Sequence, residues 1–250
     1  MIWGIFICCT IVTSAAIPLL FLSQCTVLQG IAMSIVAAYI FYIIMQFIPT
    51  LVENYKKRSF MAIAYRKLQI MLNRLDALFI DPYKKVKCMG LSEKIDLTLE
   101  SFFEKEFLSS FLEGFDLSQE SNCQNPYTKK AKSYSDYLEE MWEACQKYGN
   151  EALNTLYMQY EPELAYQIQF LLYDNTINCY FHIVKLIPSM DYQCVLGLQQ
   201  KDYYLCAQSI QNIIVLHKYV FDMYEKLKRD KRFFNIYEPS FYMGKGKNKK

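Results

Sequence analysis

No aspartate, glutamate, lysine or arginine occurs between Met1 and Val52; the first charged residue is Glu53. A helix in the core of a soluble domain does not avoid charge for so long, because its outer face must meet water. Other absences narrow the chemistry. There are only two histidines, His182 and His217, and no Cys-x-x-Cys. The eight glycines form neither a Walker loop nor a Gly-x-Gly-x-x-Gly turn, so no nucleotide cradle is encoded in a standard form. No serine is marked as a nucleophile by its surroundings. No run of alternating apolar and polar residues stands out, which points to an all-α class.

The residues that are present are strongly segregated. Residues 2 to 22 (IWGIFICCTIVTSAAIPLLFL) and 30 to 49 (GIAMSIVAAYIFYIIMQFIP) are two apolar runs joined by the polar connector SQCTVLQ. About 20 helical residues cross a hydrocarbon layer, and backbone groups in lipid must be bonded within the segment, so two transmembrane helices are expected. A cleaved signal peptide fits the first run poorly: it lacks a basic start, its apolar stretch is too long, and a second span comes at once after it. Lys56, Lys57 and Arg58 stand just past the second span. Basic flanks stay in the cytoplasm, so both termini are expected there, with anionic headgroups near these side chains. No ionisable group lies in either run, so a proton relay has no machinery in the spans.

Gly30, Ser34 and Ala38 recur at intervals of four and share one helical face. Small side chains let another helix approach closely. Packing inside the hairpin, with Ser14, Ala15 and Ala16 as the complementary surface, is the simpler expectation for this face. Self-association of several hairpins is the functional one.

Beyond Val52 the charge comes in zones. Residues 53 to 92 hold nine basic and three acidic side chains, residues 93 to 163 six and fifteen, residues 164 to 250 twelve and seven. The net charge of +2 is therefore a cancellation. Phe60, Ile63, Ala64, Leu68, Met71, Leu75 and Leu78 keep a 3.6-residue period and predict an amphipathic helix of about 20 residues. Pro49 is expected to bend the chain ahead of it. DPYKKVKCMG, 81 to 90, reads as a loop, and Ser92 as the cap of a helix running to about Phe115.

Residues 116 to 135 read as a linker, polar and without an apolar period. Helical patterns come next at about 136 to 160, 163 to 187 with a break expected near Asp174-Asn175, and 200 to 230, with Glu161-Pro162-Glu163 as a helix start. In the last pattern Cys206, Ile210, Ile213, His217, Val220, Tyr224 and Leu227 form a core-facing seam. The domain plan is thus a hairpin over 1–52, juxtamembrane helices over 53–115, a linker over 116–135, a helical bundle over 136–232 and a basic tail over 233–250. The tail lysines Lys245, Lys247, Lys249 and Lys250 are candidates for contact with phosphates of lipid or nucleic acid.

Candidate enzyme sites are thin. Cys179 and His182 stand at i and i+3, a spacing that places two ligands on one metal, whereas Cys206 and His217 are about 16 Å apart along a helix. No standard zinc spacing exists, the nine scattered cysteines read as reduced thiols, and the 21 tyrosines as amphipathic fillers of a helical core. Neither an enzyme activity, nor a cofactor, nor a small-molecule substrate is expected.

The first span, the stretch GIAMSIVAAYIFYIIMQFIPTLVENYKKR and the helical segment YEPELAYQIQFLLYDNTINCYF together resemble a loose group of bacterial proteins with two transmembrane helices. Members of that group occur as membrane effectors of antiphage systems, including some retrons. The resemblance implies a conditional toxin: a reverse transcriptase with its RNA-linked DNA holds the effector inactive, and release lets hairpins gather and damage the inner membrane. A membrane-anchored adaptor that recruits a cytosolic partner without harming the bilayer is the alternative.

Overall fold

The structure, a computed structural model, describes residues 2–22, 24–90, 102, 115–124, 128–173, 186, 189, 203–233 and 235–239. The class is all-α, with two long apolar N-terminal helices succeeded by further helices. The chain divides into two compact units, Met1–Ser59 and Phe60–Lys250.

The first unit contains helix α1 (Ile2–Leu22) and helix α2 (Thr26–Tyr42), connected around Gln24 and Cys25. A π-helical turn (Ile43–Phe47) continues α2 without a break and leads into helix α3 (Ile48–Val86). The second apolar run thus belongs to one continuous helix from Thr26 to Val86. Pro49 does not interrupt it. It sits in the first turn after the π-turn, where a different hydrogen-bond ladder already begins. Thr50 Oγ1 donates to the carbonyl of Gln46 at 2.6 Å. The amphipathic helix expected over 60–78 is the middle of α3.

In the second unit α3 supplies the central core. Ala64, Tyr65, Leu68, Met71, Leu72, Leu75 and Leu78 are buried as the period requires. Ile63 is a correction: it is 53% exposed, and Tyr65 takes the inward position. The expected loop at 81–90 also begins later. Pro82 lies inside the helix, which ends at Val86. A turn with Cys88 at φ 52° comes next, closed by Met89 N–H donating to the Lys84 carbonyl at 2.9 Å. The helix expected from Ser92 falls almost wholly outside the described residues.

The linker expected over 116–135 is instead a packed antiparallel hairpin. Strand β1 (Glu120–Gln124) pairs with strand β2 (Ala131–Ser133), with Glu120 opposite Ser133 and Gln124 opposite Ala131. Phe115, Leu117 and Tyr134 bury at its base and give a polar segment a fixed place. Ser133 then caps helix α4 (Tyr134–Leu153) by accepting from Asp136 N–H at 3.2 Å. A short 3₁₀ turn (Leu156–Gln159) leads to helix α5 (Pro162–Tyr173), which starts at the expected proline with Glu163 in its first turn. The remainder of that expected helical pattern, residues 174–187 with Cys179 and His182, lies outside the described residues except for Leu186. Helix α6 (Tyr203–Lys228) carries the described part of the expected seam: Ile213, His217, Val220, Tyr224 and Leu227 are all buried, while the side chains of Cys206 and Ile210 lie outside those described.

The apolar hairpin and the buried polar pairs

The seam between α1 and α2 is small and aromatic. Thr13 and Ala16 of α1 and Ala32 of α2 are buried, and Thr10 Oγ1 meets the Tyr39 hydroxyl at 2.7 Å. Phe6 stacks on Phe47 with ring centres 4.1 Å apart, and Trp3 meets Phe47 edge-on at 5.7 Å. Such pairs contribute about 0.5–1.5 kcal/mol each beyond the area they cover. The π-turn makes this cluster possible. Eight residues beyond Tyr39 an α-helix has rotated about 80° away from the same line. One extra residue in the turn takes most of that rotation back and returns Phe47 to the side of Tyr39.

Gly30, Ser34 and Ala38 are not in that seam. All three are exposed rather than packed inward, and a Cβ added at Gly30 meets nothing within 4 Å. Ser14 and Ala15 are exposed too, so only Ala16 of the expected complementary trio packs inward. The expectation that this small-residue face closes the hairpin is therefore overturned. Buried Ala32, flanked by bulky exposed Ile31 and Met33, does that work instead. Around both helices the large apolar side chains remain uncovered, Ile11, Phe21, Met33 and Phe41 among them, and only 11% of the most apolar stretch of either helix is buried. A core helix of a soluble domain is mostly buried. These two are compatible with membrane spans.

Lys56 and Lys57 stand with Arg58 near the start of α3; Lys56 and Arg58 are exposed and Lys57 is half-buried. Lys245, Lys247, Lys249 and Lys250 lie outside the described residues.

The second unit holds polar pairs that reasoning from sequence missed. His217 Nε2 and Asp76 Oδ1 lie 2.8 Å apart, each residue 4% exposed. Cys145 is fully buried close enough to feel Asp76. A cysteine, a histidine and a carboxylate in one region suggest nucleophilic chemistry, but burial pushes the Cys145 thiol well up, the reverse of the shift a thiolate nucleophile needs. The signal available in sequence was an acid, Asp76, on the apolar stripe between Leu72 and Leu78, and a histidine on the stripe of α6.

A second pair joins Asp81 to Tyr137, whose hydroxyl donates to Asp81 Oδ2. Burial raises the Asp81 carboxyl, while the Tyr137 bond and Lys84 pull it down. Tyr134 beside it is pushed up to about 12, by burial first and the Asp81 charge next. At the surface, Lys67 bonds Glu151 and holds its carboxyl below the usual range. The Tyr65 hydroxyl donates to the Tyr237 carbonyl at 2.6 Å, and Gln69 Nε2 to the Glu238 carbonyl at 3.1 Å, tying residues 237–238 along α3.

Among the described residues no three histidine, cysteine, aspartate or glutamate side chains converge as metal ligands, and the six described cysteines are unbridged. The chain matches no protein-family model, no curated protein and no solved structure.

Proposed function

We propose that this protein is an inner-membrane effector of an antiphage defence system of the retron kind, kept inactive by partner components and permeabilising the membrane on release. The uncovered apolar surface of the hairpin is the observation that carries this reading. Two helices joined by so few polar residues, with aliphatic and aromatic side chains facing outward on all sides but one, have lipid as their natural solvent.

Orientation is set by Lys56, Lys57 and Arg58, which favour a cytoplasmic position for both termini. No aspartate, glutamate, lysine, arginine or histidine lies in either span, so a conducting path requires several copies or a disturbed bilayer. The outward ridge of Gly30, Ser34 and Ala38 suits such an assembly, because small residues let helix backbones approach. The helical unit is then the regulatory surface, and the lysine tail a contact for the RNA-linked DNA of a reverse transcriptase partner. That biological setting rests on the resemblance to the two-helix effectors of retrons.

The test is expression of the chain alone in bacteria, with membrane potential and dye uptake monitored over time. Depolarisation and growth arrest are expected, weakened by Gly30→Leu and Ser34→Leu. An intact potential and full growth, with insertion verified and during phage challenge of cells carrying the complete system, assign the chain to a harmless anchor instead.

A further inference from the structure

We infer that Gln46 is the polar lock through which a second copy of this chain docks on the outer face of the hairpin; the inference rests on the membrane reading above and deepens it. Five hydroxyls of the spans and their exit are satisfied locally. The hydroxyls of Thr10, Thr13, Ser14, Ser34 and Thr50 each donate to the carbonyl four residues earlier, at 2.6 to 2.9 Å. Gln29, the other glutamine of α2 and the π-turn, reaches the Leu20 carbonyl at 3.4 Å within the hairpin. The Gln46 amide has no partner among the described residues and points outward, between exposed Ile44, Met45 and Ile48.

Its position is set by the π-turn. Gln46 stands eight residues after Ala38, as Phe47 does after Tyr39. The turn that brings Phe47 back to α1 therefore also brings Gln46 back toward the line of Gly30, Ser34 and Ala38. A large amide then stands at the end of a row of small side chains. The next charge, Glu53, is seven residues on, about 10 Å along the helix, with Phe47, Ile48, Leu51 and Val52 between them. That places the amide at an apolar depth, where an unmet hydrogen-bonding group is costly.

The chemistry of the amide identifies the occupant. It offers two N–H donors and a carbonyl acceptor, so it is its own complement. A second copy related by a two-fold axis along the membrane normal presents the same amide at the same depth, and the pair exchanges two hydrogen bonds while the small row admits close backbone contact.

The experiment uses the full chain carrying donor or acceptor fluorescent proteins at the C-terminus, reconstituted in phosphatidylethanolamine–phosphatidylglycerol vesicles. Energy transfer between copies is expected for the wild type. Gln46→Leu is expected to weaken association about 3- to 30-fold, the range for polar interhelical bonds in bilayers, and Gln46→Asn to retain part of it. In untagged Trp142→Phe chains, Trp3 fluorescence, which reports the Phe6–Phe47 cluster, should stay the same in both variants because Gln46 faces away from it. Unchanged transfer in Gln46→Leu, or a wild type that stays monomeric, overturns the inference and assigns the amide to water or headgroups. Dye release from the same vesicles reads the effector function separately. Association lost in Gln46→Leu without any wild-type dye release keeps the lock and removes the effector.

Discussion

His217 on α6 and Asp76 on α3 meet at 2.8 Å in the core, 141 residues apart in the chain. Taking two polar groups out of water is expensive, and only their mutual contact and their neighbours compensate. Each therefore depends on the other, and the last helix depends on both.

Replacing one partner should be worse than replacing both. His217→Leu or Asp76→Leu is expected to lower unfolding stability by about 3–5 kcal/mol, because the remaining group stays buried and loses this contact. The double variant should regain most of that loss. Denaturant midpoints of the full chain in detergent measure all three. A double variant no better than the worse single one would show that the contact is incidental.

Gly149 lies where α4 meets α5. A Cβ there comes within 2.5 Å of Leu172 Cδ1 and 3.0 Å of Met71 Sδ. Leu172 is fully buried and has little room to yield. Alanine gains up to about 1 kcal/mol of helix propensity, while overpacking costs about 1–3 kcal/mol. Gly149→Ala should therefore lose up to about 2 kcal/mol, seen as a lower Tm. A higher Tm would mean that the contact relaxes freely.

The two faces of α2 should respond oppositely to bulk. Ala32→Leu forces a large side chain into the α1 seam, and Trp3 emission should change as the Phe6–Phe47 stack is displaced. Gly30→Leu adds the same bulk where nothing is met within 4 Å, so Trp3 should not respond. A Trp142→Phe background isolates the Trp3 signal, since the chain has only two tryptophans. Equal responses would place Gly30 in the seam after all.

Two carboxylates should give pH dependence of opposite sign. Asp81 is raised above 3.8 by burial, so its contribution is most favourable below that value and is lost as pH rises through the folded pKa. Asp81→Asn should flatten this decline. Glu151 is lowered from 4.5 by Lys67, so its contribution is present above that value and is lost as pH falls through the folded pKa. Lys67→Met should flatten the acid limb instead. Stability measured from about pH 3 to about pH 7, a window that brackets both carboxyl groups, separates them. Parallel curves for wild type and both variants would remove both assignments.

Much of the architecture was legible because it is periodic. The α3 stripe from Ala64 to Leu78 and the α6 seam from Ile213 to Leu227 repeat at the helical period, and the start at Pro162 is a matter of backbone chemistry. The β1–β2 hairpin was not legible: its strands are short and polar, and Phe115, Leu117 and Tyr134 reveal its packing only once their partners are in place. The loop expected over 81–90 was overturned for a related reason. Proline breaks a helix by local rules, yet burial of Pro82 and Tyr83 in the core keeps α3 going to Val86.

The amino-acid sequence alone determined that residues 1 to 52 prefer an apolar solvent, since solvent preference sums over side chains whatever their arrangement. It also set the helical class, through spacing along a single segment. Only tertiary structure decided that Ala32 and not Gly30 meets α1, that Phe47 is buried while Gln46 beside it is exposed, and that Asp76 belongs to His217. Each of those depends on which surfaces from distant segments fit together, and fit is a property of pairs that no single segment carries.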